Sequence, residues 1–178
     1  MHRSWQPWLL ALVLSLPGPV RAEITLDAAA RAHLESLTPV AAGTGLDTGS
    51  LAGGPLVVTF FASWCPPCLE EFRHLNTLEQ EFTGQGLRIV AVNVFEQFDD
   101  NDVARMQRFR ELTRPRFPLV KGTAETRRRF GDVARIPTVF VFRGDGRPAM
   151  HFIHRRGATK MTATLEELRA AVREALGS

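Results

Sequence analysis

Long apolar runs are missing from this 178-residue chain. The stretch Trp8 to Leu16 is too short to span a bilayer comfortably. It follows a positive residue, Arg3, and precedes the small-residue site Val20-Arg21-Ala22. Residues 1–22 therefore read as a secretory signal cleaved after Ala22, in preference to a retained anchor. No cysteine lies near that site, which excludes a lipid on a mature N-terminal cysteine. Charge excess is missing too. Removing residues 1–22 takes away Arg3 and Arg21 and no acid, so the formal +3 of the whole chain falls to +1. A high isoelectric point here does not point to nucleic acid. The one basic cluster, Arg127-Arg128-Arg129, reads as a solvated helix face. Tyrosine is absent, internal repeats and low-complexity segments are not visible, and 44% hydrophobic residues suit one domain with a sizeable core.

Cysteine is scarce as well: there are two, Cys65 and Cys68. They sit where an apolar β-rich run, Leu56–Ala62, gives way through Ser63-Trp64 to a helix-forming pattern. Zinc sites also use Cys-x-x-Cys, so the spacing alone is a weak signal. Its setting adds to it. A thiol at a helix N-terminus faces unpaired N–H groups and the positive end of the helix dipole, which stabilise its thiolate. Pro66 suits the first helical position, where an N–H has no partner anyway. Cys68, one turn on, can attack a mixed disulfide formed at Cys65. Cys65 is then the exposed nucleophile and Cys68 the buried resolving thiol.

Trp64-Cys65-Pro66-Pro67-Cys68, with Ile136-Pro137-Thr138 far downstream ahead of Val139–Phe142, resembles the thioredoxin superfamily. The extracytoplasmic TlpA/ResA/CcmG branch is the nearer likeness. It shares the Cys-Pro-Pro-Cys-x-x-Glu run, the strand Arg88–Val94 and the segment Arg116–Val120. The resemblance covers roughly Ser50 to the C-terminus. It implies an α/β thioredoxin-like fold, a central mixed sheet flanked by helices, with an extra helix–strand insertion and a cis-proline at Pro137 beside the cysteines. The domain expected is 55–178, preceded by an N-terminal helix and loop over 23–54.

Along the chain, apolar spacing predicts a short helix over 26–37, and Pro39 to Gly54 reads as loop. Here the chain departs from the family, which has a β-hairpin ahead of the central strand. Thioredoxin places a buried Asp on that strand; the matching position is Thr59, which cannot accept a proton in its stead. The helix predicted from Pro66 to about Thr83 supplies an alternative. On its wheel Leu69, Phe72, Leu75, Leu78 and Phe82 define the buried arc, and Cys65, Cys68 and Glu71 fall inside it. Glu70 points to solvent, and His74 is placed on the solvent side. A carboxyl aimed at an apolar face has its pKa raised by desolvation, which suits a proton acceptor for Cys68. The resemblance implies the same role for Glu71; the plain alternative is a first-turn acid that favours the dipole.

The remaining pattern predicts a strand at 87–94, a loop with Phe95-Glu96-Gln97, a helix over 102–112, a short strand at 117–120 and a helix over 123–130. Arg143–Arg147 reads as a hairpin turn, and Met150–Arg155 as the last strand, on which His151 and His154 make a poor metal pair. Thr164 to Glu167 is a capping box opening the C-terminal helix. Gly157 matches a small residue that the family places near the active-site loop.

The resemblance implies an exported thiol–disulfide oxidoreductase, a protein-disulfide reductase in the periplasm. Cys65, Cys68 and Glu71 would be catalytic, and Trp64, Pro67, Ile136 and Pro137 would meet the client. Its redox-active disulfide would serve without a metal or other cofactor. The partners implied are client proteins with disulfides, such as apocytochromes c or copper-site assembly proteins, and a membrane-embedded thiol reductant as electron donor; a monomer that binds no nucleic acid is expected. Members specific for apocytochromes carry an acid after the cis-proline, where this chain has Thr138. Two other readings stand beside this one: a Cu(I)-binding carrier using both cysteines, and a Dsb-type oxidant.

Overall fold

The computed structural model describes residues 24–177; the expected signal at 1–22 and its cleavage site lie outside them. The elements run α1 Ala28–Glu35, β1 Leu56–Phe61, α2 Pro66–Phe82, β2 Arg88–Asn93, α3 Asp100–Thr113, β3 Leu119–Lys121, α4 Ala124–Arg129, β4 Thr138–Phe142, β5 Pro148–Ile153 and α5 Leu165–Leu176. The five strands form one mixed sheet in the order β3-β2-β1-β4-β5. β1, β2 and β3 are parallel, while β4 is antiparallel to both β1 and β5. α3 and β3 are the extra helix–strand unit, and the Ile136–Pro137 bond is cis.

β1 is buried along its whole length, as its unbroken apolar run requires of a central strand. Its two adjacent phenylalanines divide the core, because successive side chains of a strand face opposite ways. Phe61 meets Phe72 of α2 and Phe109 of α3 at ring separations of 4.8 and 5.2 Å. Phe60 meets Phe130 and Phe140 on the other face, at 5.2 and 6.2 Å. Each fully buried ring contributes on the order of 1.5–3 kcal/mol. The pairings Phe61↔Asn93, Asn93↔Lys121, Phe60↔Thr138 and Thr138↔Ile153 bring one set of loops to one end of the sheet. That set comprises the residues after β1, β2, β3 and β5 and those before β4.

No strand precedes β1 among the described residues, in keeping with the missing hairpin. Residues 38–44 take over part of its work. Val40 N–H donates to the Leu119 carbonyl at 2.9 Å, Lys121 N–H to Thr38 at 2.7 Å, and Leu119 N–H to Thr44 at 3.1 Å. The outer edge of β3 is thereby paired. α1, capped by the Asp27 carboxylate at the Ala30 N–H, is tied down at the opposite end of the sheet. Glu35 accepts the N–H groups of Gly49 and Leu51 at 2.8 and 2.7 Å. Arg31, 9% exposed, donates to the carbonyls of Leu51 (2.6 Å), Gly54 (3.3 Å) and Gly144 (3.4 Å). The β4–β5 turn is a hairpin as predicted, and Gly146 within it has φ +85°. A Cβ there would lie 2.3 Å from the Leu26 carbonyl oxygen, so the turn needs glycine for close approach as well as for its dihedral.

One buried guanidinium thus joins α1, the loop before β1 and the β4–β5 turn. Arg31→Ala should lower stability by about 2–4 kcal/mol, since it removes several charge-assisted bonds at once. Arg31→Lys should recover only part, because one ammonium cannot span three carbonyls. Urea unfolding measures both; a loss under about 0.5 kcal/mol for the alanine variant would remove this role.

Candidate functional site

The polypeptide turns from β1 into α2 through Ala62-Ser63-Trp64-Cys65. The Cys65 N–H donates to the Ala62 carbonyl at 3.2 Å, and Cys65 itself is the N-cap residue of α2. Pro66 and Pro67 fill the first two helical positions. Neither has an N–H, so this helix start presents fewer donors than most. Cys65 and Cys68 are joined as a disulfide with their Cα atoms 5.3 Å apart.

In this oxidised state both cysteines are covered, Cys65 at 4% exposure and Cys68 at none. The exposed position expected for Cys65 is not observed, because its sulfur is bonded to a side chain on the buried arc of α2. Trp64 is the open group, 48% exposed, with its indole N–H 3.4 Å from the Phe95 carbonyl. Phe95 is exposed too, and the Arg127 guanidinium lies 5.1 Å from its ring. The rest of the basic cluster is solvated as expected, and Arg129 pairs with Glu125.

Register brings Ile136 and Pro137 to the same end as Cys65, since Phe60 pairs with Thr138 and the antiparallel ladder continues from there. Both are buried. The carbonyls of this segment are engaged: Arg135 by the Thr138 hydroxyl at 2.9 Å, Ile136 by His154 Nδ1 at 3.1 Å, and Pro137 by the His154 N–H at 3.2 Å. Pro67 is half-buried on the first turn of α2.

Glu71 lies where the wheel puts it, on the buried face of α2, with no exposed surface. Burial pushes its carboxyl up to about 7; hydrogen bonds from Thr59 and Thr162 act in the opposite direction. The Thr59 hydroxyl donates to Oε1, and the Thr162 hydroxyl is 3.5 Å from Oε2. Thr59, where the resemblance would have placed an acid, is thus a hydrogen-bond partner of Glu71. Glu70 is exposed. His74 differs from expectation. It is half-buried, with Nδ1 3.1 Å from the Ala163 carbonyl, because the segment between β5 and α5 folds over that side of α2.

Sequence reasoning missed two participants. Thr162 arrives from ninety-one residues away, and no local pattern marks it. Glu96 reads in the sequence only as part of the loop Phe95-Glu96-Gln97. Its Oε1 accepts the Ser63 N–H at 2.8 Å and the Ser63 hydroxyl, bracing the turn into Trp64-Cys65. Its Oε2 is buried with no partner among the described residues. Those residues hold no group of three or more His, Cys, Asp or Glu able to bind a metal ion.

A mixed sheet with a disulfide at the start of the helix that follows its central strand defines a thioredoxin-like protein. Comparison with known families narrows this. The Redoxin family model matches residues 31–166, more than half of the chain, and the chain belongs to that family. It is 30% identical over 105 residues to the thiol-disulfide oxidoreductase ResA of Bacillus subtilis, a match covering 59% of this chain and 56% of that protein. The ResA of Halalkalibacterium halodurans is 32% identical over 78 residues, 44% of this chain and 42% of that one. The chain spans about half the length of these relatives.

Among solved structures, a thioredoxin-family thiol:disulfide interchange protein from Chlorobium tepidum has a TM-score of 0.63 and 26% identity, covering 79% of this chain and 91% of that one. A secreted Mycobacterium tuberculosis disulfide oxidoreductase, homologous to Escherichia coli DsbE, shares the fold with a TM-score of 0.61 and 22% identity, covering 78% and 93%.

The titration of Glu71 has a consequence for stability. Its folded-state pKa lies above the unfolded one, so between about pH 4.5 and pH 7 the native protein holds a proton that the unfolded chain has lost. Stability contributed by this group is therefore complete below pH 4.5 and falls as pH rises through 7. A shift of this size amounts to about 3 kcal/mol. Glu71→Gln should abolish that fall, so the variant gains on the wild type between pH 5 and pH 8. Glu70→Gln, on the open side, should leave the profile unchanged. Urea unfolding across that pH range checks both, and parallel profiles for Glu71→Gln and wild type would contradict the assignment.

Proposed function

We propose that this protein is an extracytoplasmic thiol–disulfide oxidoreductase that reduces disulfides in client proteins. The observation that carries the proposal is the Cys65–Cys68 disulfide at the start of α2 with a fully buried Glu71 one turn behind it. In the dithiol form the Cys65 thiolate attacks a client disulfide, forms a mixed disulfide and releases one client sulfur as a thiolate, which takes a proton from water. Cys68 then passes its proton to the Glu71 carboxylate and attacks the Cys65 sulfur. This closes the Cys65–Cys68 bond and expels the second client thiolate, which is protonated in turn. Two electrons have moved from the dithiol to the client. The reduced form is regenerated by a membrane-embedded thiol reductant working through the same exchange in reverse.

Trp64 and Pro67 supply an apolar rim beside the cysteines, and the Ile136–Pro137 segment offers backbone for an extended client strand. The Ile136 N–H, for which no acceptor stands among the described residues, supports this. The disulfide is the whole redox equipment, and no other cofactor takes part. Residues 1–22 direct export, with cleavage after Ala22. No described helix is long and apolar enough to cross a membrane.

Capture tests the activity and names the client. Cys68→Ser should accumulate mixed disulfides through Cys65, identifiable by mass spectrometry, while Cys65→Ser should accumulate none. Equal trapping by both variants, or by neither, would reject the proposal.

The direction of transfer follows from the surroundings of Cys65. A strong oxidant needs a strongly stabilised thiolate, and DsbA lies at about −120 mV against about −270 mV for thioredoxin. Pro66 and Pro67 bring neither a cation nor an N–H, and Glu70, with Glu71 when ionised, adds negative charge. The couple should equilibrate with dithiothreitol nearer the thioredoxin value. A potential close to that of DsbA would make the protein an oxidant.

A further inference from the structure

The two hydroxyls around Glu71 are not equivalent. Thr59 is on β1 with no exposed surface, and its hydroxyl donates to Oε1. That hydroxyl has no second partner among the described residues. Thr162 lies between β5 and α5, and its hydroxyl has two acceptors within reach. Glu71 Oε2 is 3.5 Å away and the Ala163 carbonyl 3.4 Å.

We infer that Thr59 is a positioning residue that keeps Oε1 as a permanent acceptor, so that Glu71 gains and loses its proton at Oε2 while the Thr162 hydroxyl swings between Oε2 and the Ala163 carbonyl. This rests on the reading of Glu71 as the proton acceptor of Cys68. A proton on Oε1 would reverse the Thr59 bond. The carboxyl O–H would donate to Thr59, and the Thr59 hydrogen would be left in the interior with nothing to meet. A proton on Oε2 leaves that bond in place. Oε2 then donates to the Thr162 oxygen, whose hydrogen turns to the Ala163 carbonyl. When Oε2 ionises, the Thr162 hydrogen turns back to it. Both states are satisfied at every polar atom.

The consequence is an asymmetry between the threonines. Thr59 donates in both states and more strongly to the ionised acid, whereas Thr162 donates to the ionised acid and accepts from the protonated one. The influences on the titration of Glu71 are burial and these two hydroxyls. Cys65 and Cys68 do not titrate while joined. His74, three residues on along α2, meets the cluster at the Ala163 carbonyl.

The experiment is the titration of Glu71 in the disulfide form, read from its own side-chain carboxyl carbon by NMR, which separates it from His74. Thr59→Val should raise the midpoint by about one pH unit, Thr59→Ser should restore it, and Thr162→Val should move it much less. An unchanged or lowered midpoint in Thr59→Val overturns the fixed-donor role. A Thr162→Val shift as large as that of Thr59→Val overturns the swinging hydroxyl. If Thr59→Val does not fold, Thr59→Ala compared with Thr59→Ser is read by the same criteria. Exchange activity does not enter the measurement. A wild-type protein inert toward disulfides would remove the proposed function without moving these midpoints.

Discussion

The reactive end of the molecule hangs on the register of β1. Phe60 and Phe61 face opposite halves of the core, one against Phe130 and Phe140, the other against Phe72 and Phe109. A slip of one residue would drive each ring into the space shaped for the other, so the strand has one place to lie. Four residues separate it from α2. The position of Cys65 at the helix start is therefore inherited from aromatic packing in the sheet. Glu96 adds a second hold on the same short connection, through both donors of Ser63.

Against that well-packed background Glu71 is a local contradiction. The arc of α2 that carries Phe72, Leu75 and Leu78 would be more stable with another apolar side chain in its place, since an interior site disfavours the ionised acid. The surroundings reduce the conflict without removing it. Two hydroxyls meet the carboxyl, and among the described residues no cation is set beside it to hold it ionised. A salt bridge would have fixed the charge. Hydroxyls leave the group able to change state near neutral pH, which is the property a proton carrier requires.

Much of this arrangement was legible in the sequence because it is local. The β1 run, the cysteine spacing, the proline helix start and the inward face of Glu71 all follow from periodicities of two and 3.6 residues. Strand and helix limits came within two residues for β1, β2, α2 and α3. Contacts made by folding one segment over another were not legible. The helical wheel put His74 in solvent because it sees only the sheet side of α2. The segment that covers His74 also delivers Thr162, and both depend on how the chain crosses from β5 to α5. The N-terminal region was opaque for a similar reason: residues 38–44 have no strand signature of their own and acquire order only against β3.

That pairing bears on how the molecule meets its own kind. A sheet edge with unpaired N–H and C=O groups is a template on which another chain can add a strand, the first step toward swapped or aggregated forms. β3 is three residues long, and residues 38–44 bond to it from outside through Leu119 and Lys121. The chain thus supplies its own blocking segment on that flank. Under the proposed function, the protein would meet client polypeptides repeatedly, and an open edge would offer them a place to add a strand. Closing this flank from within removes one of the two sheet edges, β3, from such pairing.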